Sequence, residues 1–393
     1  MTAFFEILIA FFRMGLTSFG GPVAHIGYFR AEFVERRKWL DIHAYADITA
    51  LCQMLPGPAS SQVGVSIGFL RGGFWGGIAA WLGFTTPSAL LMAGLAIGVA
   101  RGGDVAHLTG APGLKIVAVA VVAQAVWAMA QKLCPDQVRA SVAIAAACLC
   151  LAAPSALIQI LALAVAGLFG WRFLRADETA PLRKLGAPFG RSAAALAASL
   201  FVALFFALPA LTQLTGNHSL ALFDAFYRAG SLVFGGGHVV LPLLQQALVP
   251  PGWIGNDAFL TGYGAAQAVP GPLFSFASFL GAAMNPGPHA MAGAALCLVA
   301  IYLPSFLLLI FALPLWDHLR HLAGAQGALR GINAAVVGVL LAALYQPVWT
   351  SAIHTPVDFG FGLVAFLALA VWKAPPWAVV ILGAAARALW PSS

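Results

Sequence analysis

Apolar runs of about the length that crosses a bilayer, roughly 20 residues, recur from one end of this chain to the other. Charge is correspondingly scarce, 8% of residues against roughly 25% in a soluble domain. A chain with so few side chains for water to hydrate places most of its surface in lipid, where the backbone must satisfy its own hydrogen bonds. The expected class is therefore an all-α polytopic membrane protein with about 13 hydrophobic segments. The basic residues gather in a few loops, so the net charge of +7 is a topology signal and not a nucleic-acid signal. No cleavable signal peptide is expected, because Glu6 stands where a basic start would be. Cys52, Cys134, Cys148, Cys150 and Cys297 are scattered through apolar sequence, with neither metal-ligand spacing nor an expected disulfide.

Several of the apolar runs are broken in the middle. The first holds Arg13 and is interrupted by Gly20-Gly21-Pro22, and the next is interrupted by Pro56-Gly57-Pro58. Much later the pattern returns, with Arg228 before Gly235-Gly236-Gly237 and then Pro270-Gly271-Pro272. Gln53 pairs with Gln267, Trp39 with Trp253, Pro87-Ser88 with Pro304-Ser305, and Gly113 with Gly331. Matches at a slowly drifting offset, including a rare Pro-Gly-Pro, identify a duplication. It divides the chain into repeats at 1–171 and 212–393, joined at 172–211 by a cytoplasmic linker and one connecting transmembrane segment.

Charge orients the repeats. The loop after the first broken segment carries Arg30, Arg36, Arg37 and Lys38, whereas its counterpart from Pro250 to Asp257 carries no Lys or Arg. Equivalent loops of opposite character belong on opposite sides of a membrane. The expectation is two inverted-topology repeats, the N-terminus cytoplasmic and the C-terminus periplasmic, with a site between them near the midplane. If the broken segments are re-entrant, the four basic residues stay on the cytoplasmic side with most of the others. If they span, the charge bias weakens, which favours re-entrant or broken hairpins.

Arginine within hydrocarbon costs roughly 2.5–3.5 kcal/mol, so Arg13 and Arg228 are candidate anion ligands, with snorkelling to the interface as the plain alternative. Helices that stop and restart at Gly20, Gly21 and Pro22, and at Gly235, Gly236 and Gly237, would present backbone N–H groups and a positive dipole end. Pro56, Gly57, Pro58 and Pro270, Gly271, Pro272 would do the same beside Gln53 and Gln267. The plain reading of any one break is a packing kink; four breaks in two matched pairs point to a binding site. Polar neighbours of second rank are Thr17, Ser18, His25, Asp47, Ser60, Ser61 and Gln62 in one half, and Asp224, His238 and Ser275 in the other. Asp224 precedes Arg228 by one helical turn, the spacing of a simple ion pair. No phosphate-binding loop, dinucleotide fingerprint or paired-His zinc motif is present, so no enzyme activity, cofactor or metal is expected.

Phe19-Gly-Gly-Pro22 with the basic loop behind it, Pro56-Gly-Pro58, Phe234-Gly-Gly-Gly237 and Pro270-Gly-Pro272 together resemble the chromate ion transporter family in its long form with two fused domains. Gly237 in place of Pro22, and the missing second basic loop, are departures from a perfect repeat. The resemblance implies a secondary transporter in the bacterial inner membrane that exports chromate and confers chromate resistance, with sulfate as a structural analogue. Transport of sulfate or another oxyanion, proton coupling, and an oxyanion-permeable channel stay open on the residues alone, as does assembly into a homo-oligomer.

Overall fold

A computed structural model of the chain describes residues 2–100, 112–174, 188–284, 290–316 and 322–389. Part of the linker, 175–187, lies beyond the described residues. Sixteen α-helices account for the described fold.

The first four helices make two hairpins. Helix α1 (Thr2–Thr17) ends at the glycine break, and α2 (Gly21–Phe29) restarts and continues through a π-helical stretch, Arg30–Arg36. Collinear helices would set Phe11 and Phe33 about 33 Å apart at 1.5 Å per residue. Their rings instead stack at 4.6 Å, so the chain turns back on itself at Gly20-Gly21. Helix α3 (Ile42–Met54), capped by Asp41 accepting from the Ala44 amide at 2.8 Å, runs to the Pro-Gly-Pro turn. Helix α4 (Ala59–Ala100) then returns, bringing Ser66 Oγ within 3.7 Å of Cys52 Sγ. Non-helical backbone at Gly72 and Gly73 divides α4 into a short return arm, 59–71, and a long arm, 74–100. A Cβ on Gly68 would strike the Gly76 carbonyl, which sets these arms tightly side by side.

The remainder of the first half is α5 (Pro112–Leu133), α6 (Gln137–Ala152) and α7 (Ala156–Phe173), the last two capped by Asp136 and Ser155. Helix α8 (Arg191–Thr215) belongs to neither repeat and presents mostly exposed apolar side chains.

The second half repeats the first. Helix α9 (His218–Leu232) meets its break and α10 (Val240–Leu248) returns, closing a hairpin with the His218 and Trp253 rings 4.8 Å apart. Helices α11 (Asn256–Ala268) and α12 (Phe276–Ala283) turn at Pro270-Gly271-Pro272, with the Phe259 and Phe276 rings 5.2 Å apart. The set closes with α13 (Ala290–Ala312), α14 (Ala323–Ala343), α15 (Pro356–Ala370) and α16 (Pro376–Leu389). Counting each broken run as one hydrophobic segment therefore merges two short helices, because the chain reverses where the run is broken.

The halves are interleaved. Helix α14 packs against α6 and α7 of the first half, while its counterpart α5 packs against α15 and α16 of the second. Close approaches repeat as well: a Cβ on Gly15 would meet the Phe84 carbonyl at 2.6 Å, and one on Gly230 would strike the Ile301 carbonyl. Reciprocal contacts of this kind are the mark of two-fold symmetry. Among the described residues five helical stretches are long and apolar enough to cross a membrane, and all five cysteines are free. The chain is a multi-pass membrane protein.

Candidate functional site

The four hairpin tips meet. The Gly57 N–H donates to the Val233 carbonyl at 2.7 Å, and the equivalent Gly271 N–H donates to the Ser18 carbonyl at 2.9 Å. Each Pro-Gly-Pro turn is thus fastened to the glycine break of the other repeat. Behind them Gln62 Nε2 donates to the Pro56 carbonyl at 2.7 Å, holding the first turn from within its own repeat. His25 lies between Ser60 Oγ at 3.3 Å and the Ser18 carbonyl at 3.2 Å.

A cavity of about 870 Å³ opens against these tips. Gly20, Gly21, Pro22, Gln53 and Gly57 line it from the first repeat, and Gly235, Gly236, Gly237, His238 and Gln267 from the second. Gly20 adopts φ 100, a left-handed conformation that suits a residue without Cβ, and from it α2 starts with no side-chain cap. In the second repeat the return arm opens from Gly236, at φ 155, through a 3-10 turn at Gly237–Val239, also without a side-chain cap. Two helix starts, each with N–H groups left over by the helical pattern, face one space. Gln267 Nε2 and Asn333 Oδ1 on its wall are buried without a hydrogen-bond partner among the described residues. His238 is held by Tyr263, Nδ1 to Oη, at 2.7 Å.

The charges on this wall are not the arginines the breaks suggested. Lys132, at the end of α5, and Lys373, in the turn between α15 and α16, line the cavity, and among the described residues no Asp or Glu does. Neither lysine takes part in an ion pair among the described residues. Arg13 and Arg228 stand off the wall and are not brought together. Arg13 is on the exposed face of α1. Arg228 is tied to Asp224 at 2.9 Å, donates to the Phe205 carbonyl at 2.9 Å, and lies over the Phe205 ring. Phe205 is on α8, which has no counterpart in the first half, so two residues alike in sequence meet different surroundings. Ser18, His25, Pro56, Pro58, Ser60, Pro270, Gly271 and Pro272 also lie off the wall, at the tips themselves, and Asp47 is buried within α3.

Lys132 carried a signal in the sequence. Val121, Gln124, Ala125, Ala128 and Lys132 share one helical face of α5, all on the cavity. Gln124 and Lys132 are its polar members, eight residues or about two turns apart. Lys373 announced itself only as a lysine before Pro375-Pro376 in a short turn.

Comparison with known proteins agrees with the duplicated architecture. Residues 5–171 and 220–388 each match the family model described as chromate transporter. The chain belongs to the chromate transporter family. A chromate transport protein of Pseudomonas aeruginosa is 30% identical over 402 residues, covering 98% of this chain and 91% of that protein. A probable chromate transport protein of Synechococcus elongatus is 25% identical, over 97% and 94% of the two chains. A chromate transport protein of Cupriavidus metallidurans is 24% identical, over 97% and 91%. No solved structure matches. Within this family the two matched segments contain the four hairpins, and the long span α8 falls between them.

Proposed function

We propose that this chain is a secondary transporter that carries chromate out of the cytoplasm across the bacterial inner membrane and so confers chromate resistance. The observation that carries the reading is the cavity between the two repeats, walled by Lys132, Lys373 and two uncapped helix starts and, among the described residues, by no carboxylate. Such a wall suits a small dianion: the ammonium groups supply charge, and the Gln267 amide and tip N–H groups supply donors. Relatives named chromate transport proteins support chromate as that dianion.

The hairpin arms have lengths that suit re-entrant elements. Helices of 16 and 13 residues, α1 and α3, reach about 24 and 20 Å, short of a hydrocarbon core of about 30 Å. Hairpins of this size dip to the middle and return to the side they entered from. With an N-terminus inside, the first repeat then begins and ends inside, and the single crossing of α8 starts the second from outside. Repeats inverted in this way, at 1–171 and 212–393, bring the glycine tips together from opposite faces. Lys132 and Lys373 fall at the cytoplasmic ends of their helices, so the cavity loads from the cytoplasm. An interior-negative potential drives a dianion outward with about 2.3 kcal/mol per charge per 100 mV.

Radiolabelled chromate uptake into inverted membrane vesicles tests the proposal. Potential-dependent accumulation is expected, reduced by replacing either cavity lysine with Gln. Accumulation of sulfate but not chromate would reassign the substrate. Uptake driven by a pH gradient without a potential would add proton exchange, and flux that does not saturate would mark a channel.

A further inference from the structure

A second, smaller pocket of about 250 Å³ lies between α10, α11, α14 and the connection from α6 to α7. It is the symmetry mate of the central cavity. In the register set by Gly113 and Gly331, Val339 and Ala342 of α14, and Gln346 in the π-helical stretch Leu344–Trp349 that follows it, align with Val121, Gln124 and Ala128 of α5, and each set lines its own space. Aligning α6 with α15 at their first residues puts Pro154 where Lys373 stands, and both again line their pockets.

The two spaces differ in chemistry. In the same register Thr350 replaces Lys132, and no charged residue among those described lines the smaller pocket. Carboxamides take their place: Gln159, Gln245, Gln246, Asn256 and Gln346. Gln159 is 8% exposed, and its Oε1 has no partner among the described residues. Neutral amides offer hydrogen bonds to an oxyanion yet hold it less firmly than ammonium groups do.

The spaces also differ in closure. Gln245 Nε2 donates to Asn256 Oδ1 at 2.6 Å, and Asn256 Nδ2 donates to Ser351 Oγ at 2.7 Å. Gln246 Nε2 donates to the Pro154 carbonyl at 3.1 Å. Beside this clasp Asp257 pairs with Lys115 at 2.6 Å, joining α11 to α5 of the other repeat. The positions equivalent to Gln245, Asn256 and Ser351 on the side of the large cavity are Arg30, Ile42 and Leu133, side chains that cannot form the same chain of amides.

We infer that the smaller pocket is the release vestibule for the transported oxyanion, and that the hydrogen bonds centred on Asn256 are its gate, shut in this conformation. The inference rests on the inverted-repeat transporter reading above. The cationic space takes the anion up; when the clasp parts, the uncharged space lets it leave.

Two cysteines report on the two spaces: one introduced as Ala128→Cys, at an exposed position on the wall of the large cavity, and the native Cys150 on the small pocket. The test uses full-length chains in proteoliposomes that carry one of the two, the other cysteines being replaced by Ala, with a membrane-impermeant thiol reagent added from either side. Cys150 is expected to react slowly and only from the periplasmic side, and the Ala128→Cys thiol only from the cytoplasmic side. Asn256→Ala, which removes two hydrogen bonds, should speed Cys150 labelling about tenfold or more. An unchanged rate, with the two cysteines still reacting from opposite sides, overturns the gate alone; reaction from the same side overturns the inverted-repeat reading beneath it. A second arm uses Gln245→Cys/Asn256→Cys together with Ala128→Cys in a chain lacking the native cysteines. Oxidative cross-linking should stop efflux of chromate and of sulfate, reversibly on reduction, while the Ala128→Cys thiol stays reactive from the cytoplasm. Full cross-linking with unaltered efflux refutes the gate. Labelling requires no transported anion, so a wrong substrate assignment leaves that arm intact.

Discussion

Gly57 donates its amide hydrogen to the carbonyl of Val233, 2.7 Å away in the other repeat. Neither residue could be tied so closely by chance packing, because Gly271 and Ser18 make the same bond with the repeats exchanged. The two halves are locked at the tips that wall the cavity, and each lock depends on a glycine at positive φ, 128 for Gly57 and 100 for Gly271.

Adding one methyl group should therefore damage both folding and transport. In Gly57→Ala the new Cβ would collide with Ser305 Oγ and the Gln62 side chain; in Gly271→Ala it would meet Ser88 Oγ at 2.9 Å. Backbone strain alone is of order 1–3 kcal/mol at such positions. Thermal unfolding in detergent should show a lowered midpoint for each variant, with chromate flux reduced further than the loss of folded protein explains. A wild-type midpoint and flux in either would show that the tips tolerate slack.

Charge at the cavity should matter through its sign. Lys132→Gln and Lys373→Gln each remove a charge-assisted hydrogen bond worth roughly 1.5–3 kcal/mol, so KM for chromate should rise about tenfold or more in each. Lys→Arg at either site should keep most of the affinity. Raising ionic strength should weaken uptake by the wild type more than by the double Gln variant. Equal KM values across the series would remove the lysines from the site.

The two arginines should part company, although the sequence pairs them. Arg13, exposed and without an ion pair among the described residues, should tolerate Ala with little change in flux. Arg228→Ala leaves the half-buried Asp224 without its partner and frees the Phe205 carbonyl, and should lower thermal stability. Adding Asp224→Asn to it should restore part of the loss. Equal impairment of transport by the two single variants, with stability unchanged, would return both arginines to the substrate path.

The basic loop should give the protein an acid-sensitive contact. Burial works to raise the Glu32 carboxyl, but the Arg37 and Arg36 guanidiniums outweigh it and leave the group below its ordinary value of 4.5. Arg37 makes the closer pair, at 2.6 Å, while Arg36 is largely exposed and contributes less. A depressed carboxylate stabilises the fold fully above its unfolded value. That contribution is lost as pH falls below about 4.5 toward the folded value. Thermal midpoints measured from pH 6 to pH 3 should fall more steeply for the wild type than for Glu32→Gln. Parallel curves would show that the loop contributes nothing.

Much of this architecture was legible because it rests on period and repetition. The matched Gly-Gly and Pro-Gly-Pro breaks marked the tips before any contact was known, and the basic loop against its bare counterpart suggested opposite faces. What stayed hidden depends on neighbours from distant segments. Arg228 looks like a free charge until α8 brings the Phe205 carbonyl to it, and Lys132 looks like a helix-end lysine until the tips of both repeats face it. Pro56 and Pro58 read as cavity residues, yet their rings serve to turn the chain while Gly57 alone reaches the wall.

The inversion of the repeats has a direct test at two equivalent loops. Glu35 follows the first hairpin and is exposed, paired only at the surface with Arg30 at 3.2 Å. Gly255 follows the matching hairpin, is exposed, and would place a Cβ in open space. Glu35→Cys and Gly255→Cys, in a cysteine-free chain, should both fold normally. In intact cells an impermeant thiol reagent should then label Gly255→Cys and leave Glu35→Cys untouched; in inverted vesicles the pattern should reverse. Labelling of both from one side would place the two hairpins on the same face, and the glycine tips could not then converge from opposite faces on a single cavity.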